Sequence, residues 1–191
     1  MAIETSTTPL SNSLVQLRAY RPGDAERLYE AARESIADIS RWLPWCHPAY
    51  SQEEAAAWVE TRPSAWVGGD EYSFVIADSH TGEMLGGGGL NQFDPLRLRC
   101  NLGYWVRSSE TGRGIATAAA RLLARFGLDA LGLERIEIVA ALGNTASQRV
   151  AEKAGAHREG IARRRLRVHG TQHNAVVYSF IRDDLAFLCE G

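Results

Sequence analysis

The stretch Cys100-Asn101-Leu102-Gly103-Tyr104-Trp105-Val106-Arg107, continued by Ser108-Ser109-Glu110 and then Thr111-Gly112-Arg113-Gly114-Ile115-Ala116-Thr117-Ala118-Ala119, decides the fold. Cys100 to Val106 is rich in aromatic and apolar side chains and predicts a strand. Gly112 and Gly114 remove side chains where the chain turns, and the small residues that follow predict a helix. That order exposes several backbone N–H groups at a helix N-terminus, where the dipole also favours negative charge. A phosphate or pyrophosphate is the natural guest, and Arg113 can add a charge-assisted contact. Taken alone, the loop is equally an ordinary glycine-rich helix start, because short glycine patterns are weak signals.

Upstream of this stretch, Leu14 to Tyr20 alternates and predicts a strand, stopped by Pro22-Gly23-Asp24. Ala25, Leu28, Tyr29 and Ala32 have helical spacing to about Ser35, and a second short helix is expected over Ile36 to Trp42. Arg41-Trp42-Leu43-Pro44-Trp45-Cys46-His47-Pro48 is aromatic and broken by proline. Ser51 and Glu54 form a capping-box pattern that opens a helix to about Val67. Tyr72 to Ala77 and Met84 to Asn91 predict strands. The second contains Gly86 to Gly89, and a glycine run in a strand marks a bulge or a close backbone or ligand approach. Arg97 to Arg107 is the next strand.

Downstream, a helix is expected from Gly112 to about Ala130 and a strand from Glu134 to Ala140. Asn144 opens a helix to Ala154, closed by Gly155. Ala156 to Val168 and Asn174 to Ile181 flank His169-Gly170-Thr171 as a last hairpin. The order predicts an α/β (α+β) domain with a mixed central sheet of about seven strands flanked by helices. The expected boundaries are a flexible arm over 1–13, one domain over 14–185 and a tail over 186–191.

The chain has 191 residues with 45% apolar and 23% charged content, which fits a single soluble globular domain. A net charge of −2 argues against a general nucleic-acid binder. Cys46, Cys100 and Cys189 are widely spaced, show no metal-ligand spacing and fit a reducing cytoplasm. The first residues lack the pattern of a signal peptide, and no apolar segment is long enough to span a membrane.

Several motifs in order resemble the GCN5-related N-acetyltransferase (GNAT) superfamily, in its RimJ/RimL-like branch. Gly112-Arg113-Gly114-Ile115-Ala116 resembles the family's pyrophosphate loop, and Leu102-Gly103-Tyr104-Trp105-Val106 the strand before it. Asn144-Thr145-Ala146-Ser147 with Val150 to Ala156 resembles the following helix motif. Arg41 to Trp45 resembles the branch's aromatic segment near the acceptor. His169-Gly170, near a final strand ending in Arg182-Asp183-Asp184-Leu185, also fits. Two positions depart from the pattern. Ser109 stands where the family loop often has Gln or Arg, and Asn101 stands where many branch members carry a Glu that can serve as base.

The resemblance implies acetyl transfer from acetyl-CoA to an amine, a protein N-terminus or a small molecule, without a metal. It implies that backbone groups of Gly112, Arg113, Gly114, Ile115, Ala116 and Thr117 grip the pyrophosphate. The edge of Tyr104, Trp105 and Val106 is then expected to align the pantetheine and supply an oxyanion donor. Asn144 is read as a pantetheine contact, a helix cap or both. Arg149 and Lys153, four apart on one face, meet the CoA 3′-phosphate or form a solvated basic face. Ser147 is read as proton donor to the thiolate, the alternative being a local cap. Asn101 joins the catalytic group but cannot take a proton. Trp42, Trp45 and Asn91 are read as acceptor contacts; the tryptophans are otherwise core aromatics and Asn91 otherwise a turn residue. His47, His169, Glu71 and Asp94 are weaker candidates, and Cys100 reads as a small buried hydrophobe. A homodimer through terminal strands is implied by family analogy only. The alternative of another class is a module that binds acyl-CoA without chemistry, which Asn101 and Ser109 would fit.

Overall fold

A computed structural model describes residues 10–184, 186 and 188. Most of the expected arm and tail, with Leu185 and Cys189, lies outside the described residues. The elements in chain order are β1 (Leu10–Ser11), β2 (Val15–Ala19), α1 (Ala25–Ile39), α2 (Gln52–Glu60), α3 (Arg62–Gly68), β3 (Tyr72–Asp78), β4 (Met84–Asp94) and β5 (Arg99–Val106). They continue with α4 (Ile115–Arg125), β6 (Arg135–Ala141), α5 (Thr145–Ala154), β7 (His157–Val168) and β8 (Thr171–Ile181).

The strands form one eight-stranded sheet in the order β1-β2-β3-β4-β5-β6-β8-β7. Only β5 and β6 run parallel; the other neighbours are antiparallel. The strand beyond the expected seven is β1, where Leu10 and Ser11 pair with Leu17 and Gln16. Two residues are too few to show an alternation, so this strand falls within the expected arm.

Strand parity assigns the two faces. Phe74, Ile76, Leu90 and Leu102 join a core with α4 and α5 that includes Ala119, Leu123, Ala151 and Ala154. Val75, Ala77 and Met84 face the other way and pack with Leu28 and Ala32 of α1 and Ala55 and Val59 of α2. Helix α4 is buried on most sides through Ala118, Ala119, Ala120 and Ala124. Small side chains let it lie close to both the sheet and α5.

Three helix expectations are corrected. Helix α1 runs unbroken to Ile39 because Ser35, in place of interrupting it, donates its hydroxyl to the Ala31 carbonyl at 2.7 Å. The single helix expected to Val67 divides at Thr61, because Pro63 lacks the N–H that would continue the ladder. The helix expected to begin at Gly112 begins at Ile115, and its last turn, Phe126–Ala130, is a π-helix. No helix among the described residues is long and apolar enough to cross a membrane.

The glycines of β4 let three strands approach. A Cβ on Gly89 would lie 2.5 Å from the Tyr72 carbonyl oxygen, and one on Gly86 would overlap the Trp105 carbonyl oxygen. Both obstacles are backbone and cannot rotate away. Gly89→Ala is therefore expected to destabilise the fold by about 1–3 kcal/mol, read as a lowered chemical-denaturation midpoint; a midpoint equal to wild type would refute this packing.

Candidate active site

The site begins where β5 and β6 part. Their parallel ladder pairs Arg99 with Arg135, Cys100 with Ile136 and Asn101 with Glu137, and stops there. Strand β5 continues to Val106 against β4, with Gly86 opposite Val106. From Leu102 onward the β6-facing edge of β5 therefore has no strand on it. The expected free edge at Tyr104 to Val106 is present.

Across this opening, α5 starts with Asn144 as cap. Its Oδ1 accepts the Ser147 N–H at 3.1 Å, so the capping role read for Asn144 is realised. Ser147 is thereby held in the first turn. The Tyr104 hydroxyl donates to the Ser147 carbonyl at 3.0 Å and lies 3.1 Å from Ser147 Oγ. Burial pushes the Tyr104 phenol up to about 12, so it stays protonated at neutral pH. Arg149 and Lys153 stand exposed on α5.

The glycine loop lies at the other end of β5. Gly112 and Gly114 have φ of 79° and 82°, which favours glycine, and nothing approaches the space beside Gly112. Gly114 precedes the first turn of α4, formed by Ile115, Ala116 and Thr117. Ile115 sends its side chain into the core, so only its backbone is available to a ligand. Arg113 is an ion-pair partner of Glu110. The loop is anchored from behind: Glu34 accepts the Ser109 N–H at 2.8 Å and pairs with Arg107 at 2.5 Å. Its hydrogen bonds from Arg107 and Ser109 bring the Glu34 carboxyl down to about 2. Ser109, a departure from the family loop, thus serves through its backbone. Open N–H groups on a glycine turn, together with an unpaired strand edge, fit a pyrophosphate with an extended arm.

A cavity of about 620 Å³ opens on the α1–α2 face. Its floor is Ser73, Gly87, Gly89, Asn91, Asn101, Gly103 and Trp105, and its walls include Tyr20, Trp45, Tyr50 and Trp58. Asn101 Nδ2 donates to Asn91 Oδ1 at 2.9 Å across the β4–β5 pair. Trp45 meets Trp105 edge to face, with ring centroids 5.5 Å apart. Two carboxylates reach the cavity, Glu54 and Glu71. Glu71 is held by the Ser73 hydroxyl and by Arg62, 2.9 Å away. Glu54 accepts the Ser51 N–H at 2.9 Å and pairs with His47 at 3.0 Å. Burial pushes the Tyr20 phenol up, and the Tyr50 phenol to about 12.

The structure brings some of the residues read from the sequence to one cavity and places others elsewhere. Trp45, Asn91, Asn101, His47 and Glu71 line the cavity. Trp42, expected beside Trp45, instead lies over Gly143, where a Cβ would be 3.2 Å from its ring. Turn hydrogen bonds from Trp42 to Ile39 and from Cys46 to Leu43, around Pro44, separate the two rings. Asp94 is turned away and bonded to Arg97 and Arg99. His169 reaches the Ser40 carbonyl at 2.7 Å. Cys100 is buried, and burial raises its thiol to about 12. Sequence reading missed Tyr20, Tyr50, Glu54 and Trp58. Glu54, Ala57 and Trp58 form an i, i+3, i+4 stripe that could have placed α2 over the site.

The chain is similar to known proteins along most of its length. Residues 15–157 match the model of the acetyltransferase (GNAT) domain. The Bacillus subtilis (strain 168) protein named "Putative ribosomal N-acetyltransferase YdaF" is 32% identical over 176 residues, covering 90% of this chain and 93% of that protein. The ribosomal-protein-serine acetyltransferase of Escherichia coli (strain K12) is 25% identical over 94% of this chain and 98% of its own. The solved structure of RimL, a ribosomal L7/L12 alpha-N-protein acetyltransferase in complex with coenzyme A, covers 92% of this chain and 99% of its own with a TM-score of 0.83. At 23% identity that likeness is one of fold.

The anchoring of the glycine loop gives a test. Glu34→Ala frees the Ser109 N–H and leaves Arg107 with Glu83 as ion-pair partner, and is expected to raise the KM for acetyl-CoA about tenfold while kcat changes less, since three charge-assisted bonds are lost. The sign with pH follows from the depressed carboxyl: the anchor is complete above the ordinary value of 4.5 and is lost as pH falls towards about 2. An unchanged KM would remove Glu34 from this role.

Proposed function

The chain belongs to the GNAT acetyltransferase family, and we propose that it moves the acetyl group of acetyl-CoA to a primary amine by direct attack in a ternary complex. The acceptor is a protein N-terminal α-amine or a small-molecule amine, and the ribosomal-protein acetyltransferases among its relatives favour the protein. The observation that carries this reading is the free edge of β5, which lies between the glycine loop and the aromatic cavity. Acetyl-CoA, when bound, supplies a thioester carbon for the amine and a thiolate as leaving group.

The residues divide the work. Backbone N–H groups from Gly112 to Thr117 bind the pyrophosphate, and the edge from Tyr104 to Val106 orders the pantetheine and offers an oxyanion donor. Arg149 and Lys153 are free to meet the 3′-phosphate. Asn144 holds the turn that carries Ser147, and the Ser147 hydroxyl returns a proton to the thiolate. Tyr104 steadies this turn by donating to the Ser147 carbonyl, and its oxygen lies within hydrogen-bond reach of that hydroxyl. On the acceptor side, Asn101 spends one N–H on Asn91 and keeps its carbonyl oxygen for the amine. Trp45 and Trp105 wall the pocket and exclude water.

The amine must lose its proton before attack, and Asn101 cannot take it. Glu71 is already engaged by Ser73 and Arg62. An α-amine, with an ordinary pKa of about 7.7–8.0, supplies its neutral form unaided, whereas a lysine at about 10.4 is neutral roughly one part in a thousand, a cost of about 4 kcal/mol. An α-amine acceptor suits this site better.

A screen of N-terminal peptides and small amines, read by mass spectrometry, tests the activity. Tight acetyl-CoA binding with no turnover on any acceptor would favour the non-catalytic module. Ser147→Ala is expected to lower kcat about tenfold or more with little change in acetyl-CoA binding; a loss below about threefold would reassign Ser147 to helix capping. With an α-amine acceptor, kcat/KM is expected to rise with pH and level off above about 8, as the free amine deprotonates. A steep rise continuing above about pH 9 would contradict this account.

A further inference from the structure

Strand β7 is the last strand of the sheet, paired to β8 on one side and open on the other. From Arg163 to Arg167 it reads Arg-Arg-Arg-Leu-Arg, on a chain whose net charge is −2. The ladder with β8 slips within this run. Ala162 faces Ala175 and Leu166 faces His173, so Arg163, Arg164 and Arg165 stand opposite the single residue Asn174. All three arginines are exposed. Among the described residues, none of their guanidinium groups has an ion-pair partner.

The bulge is built, not loose. Arg164 has φ of 50°, a conformation that residues other than glycine seldom adopt. Its N–H donates to Asn174 Oδ1 at 2.9 Å. The carbonyl of the same Asn174 accepts the Leu142 N–H at 2.9 Å. Leu142 opens the turn that carries Asn144 and Ser147. One residue therefore ties the arginine bulge to the catalytic turn, about 10 Å away across two strand spacings. Strained bulges of this kind re-aim side chains beside active sites.

We propose that Arg163, Arg164, Arg165 and Arg167 form a docking surface for an acidic segment of a polypeptide acceptor whose amine enters the cavity. The inference rests on the reading of the acceptor as a protein amine. The arginines are strung along a strand, not gathered around a pocket, which fits an extended chain better than a compact anion. Arginine pairs with carboxylates through two parallel hydrogen bonds, and the open edge of β7 can add a peptide strand. The cavity holds a carboxylate of the opposite sign at Glu54, so an acceptor with a cationic end and acidic residues downstream matches both places. A second copy docked through β7 would set arginine against arginine, which costs energy. The overall negative charge disfavours RNA.

The test uses two peptides with the same first four residues, followed by glutamates at roughly positions five to ten or by neutral residues. Wild type is compared with Arg163→Glu/Arg165→Glu and with the milder Arg163→Gln/Arg165→Gln; Arg164 is kept to preserve its backbone. Wild type is expected to prefer the acidic peptide about tenfold in kcat/KM at low salt, with the preference shrinking as salt screens it. Both variants are expected to lose the preference through KM, with kcat and the neutral peptide unaffected. Equal use of both peptides by wild type, or a preference that survives in the variants, overturns the proposal. Fluorescence anisotropy of the labelled peptides reads docking without turnover. Arginine-dependent binding with no acetylation would sustain the surface while defeating the transferase reading. Tighter arginine-dependent binding of a short RNA than of the acidic peptide, or a change in sedimentation of the variants, would overturn the proposal in favour of RNA or of a second copy.

Discussion

The structure depends on a single interruption: two parallel strands that stop pairing. Beyond Asn101 and Glu137, β5 and β6 diverge while each keeps its outer neighbour, β4 for one and β8 for the other. An unpaired strand edge within a sheet is costly unless something satisfies its polar groups. The chain fills part of the gap with Tyr104, whose hydroxyl crosses to Ser147 at the start of α5. The rest is open to a ligand that can hydrogen-bond like a strand. The alanines of α4 and the glycines of β4 support the same opening, since both let backbones lie close enough to keep the diverging strands in place.

Charge and aromatic surface are distributed around that opening in an orderly way. The glycine loop contributes N–H groups without a free cation, because Arg113 is paired with Glu110 and Arg107 with Glu34. The acceptor cavity has carboxylates and rings, and its nearest guanidinium, Arg62, stacks 4.2 Å over the Trp58 ring while pairing with Glu71. A run of exposed arginines without ion-pair partners among the described residues lies outside, on β7. The loop thus favours an anion through the helix dipole and backbone, and the cavity favours a cation through its carboxylates and ring faces.

Much of this was legible from local pattern. Leu102 to Thr117 announces strand, turn and helix because aromatic content, positive-φ glycines and small residues each have one economical use there. Asn144 and Ser147 are legible because a cap and its first turn are defined by spacing. Other features depend on contacts between distant residues. Pro63 divides a helix whose apolar spacing continues through it. Tyr20, Tyr50 and Trp58 carry no local pattern that marks them as lining a cavity, and the space beside Tyr20 stays open because Gly87 has no side chain. Trp42 and Trp45 look equivalent in sequence, and the turn around Pro44 sends them to different places. The arginine bulge was invisible because three exposed charges in a strand read as its solvated side.

In the proposed reaction, the parity of β5 would set the two proton transfers on opposite sides of one strand. Asn101, Gly103 and Trp105 line the cavity, while Leu102 and Tyr104 pack towards α4 and α5, with Tyr104 also reaching the cavity lining. Groups that alternate along a strand cannot share a face. In the proposed reaction the acceptor amine would meet the odd-numbered residues, where the polar groups are amides that orient without taking a proton. The thiolate would meet the even-numbered side, where burial keeps the Tyr104 phenol protonated beside Ser147. In the proposed reaction, the asparagine at 101 would weaken deprotonation of the amine and leave the groups that face α4 and α5 unchanged.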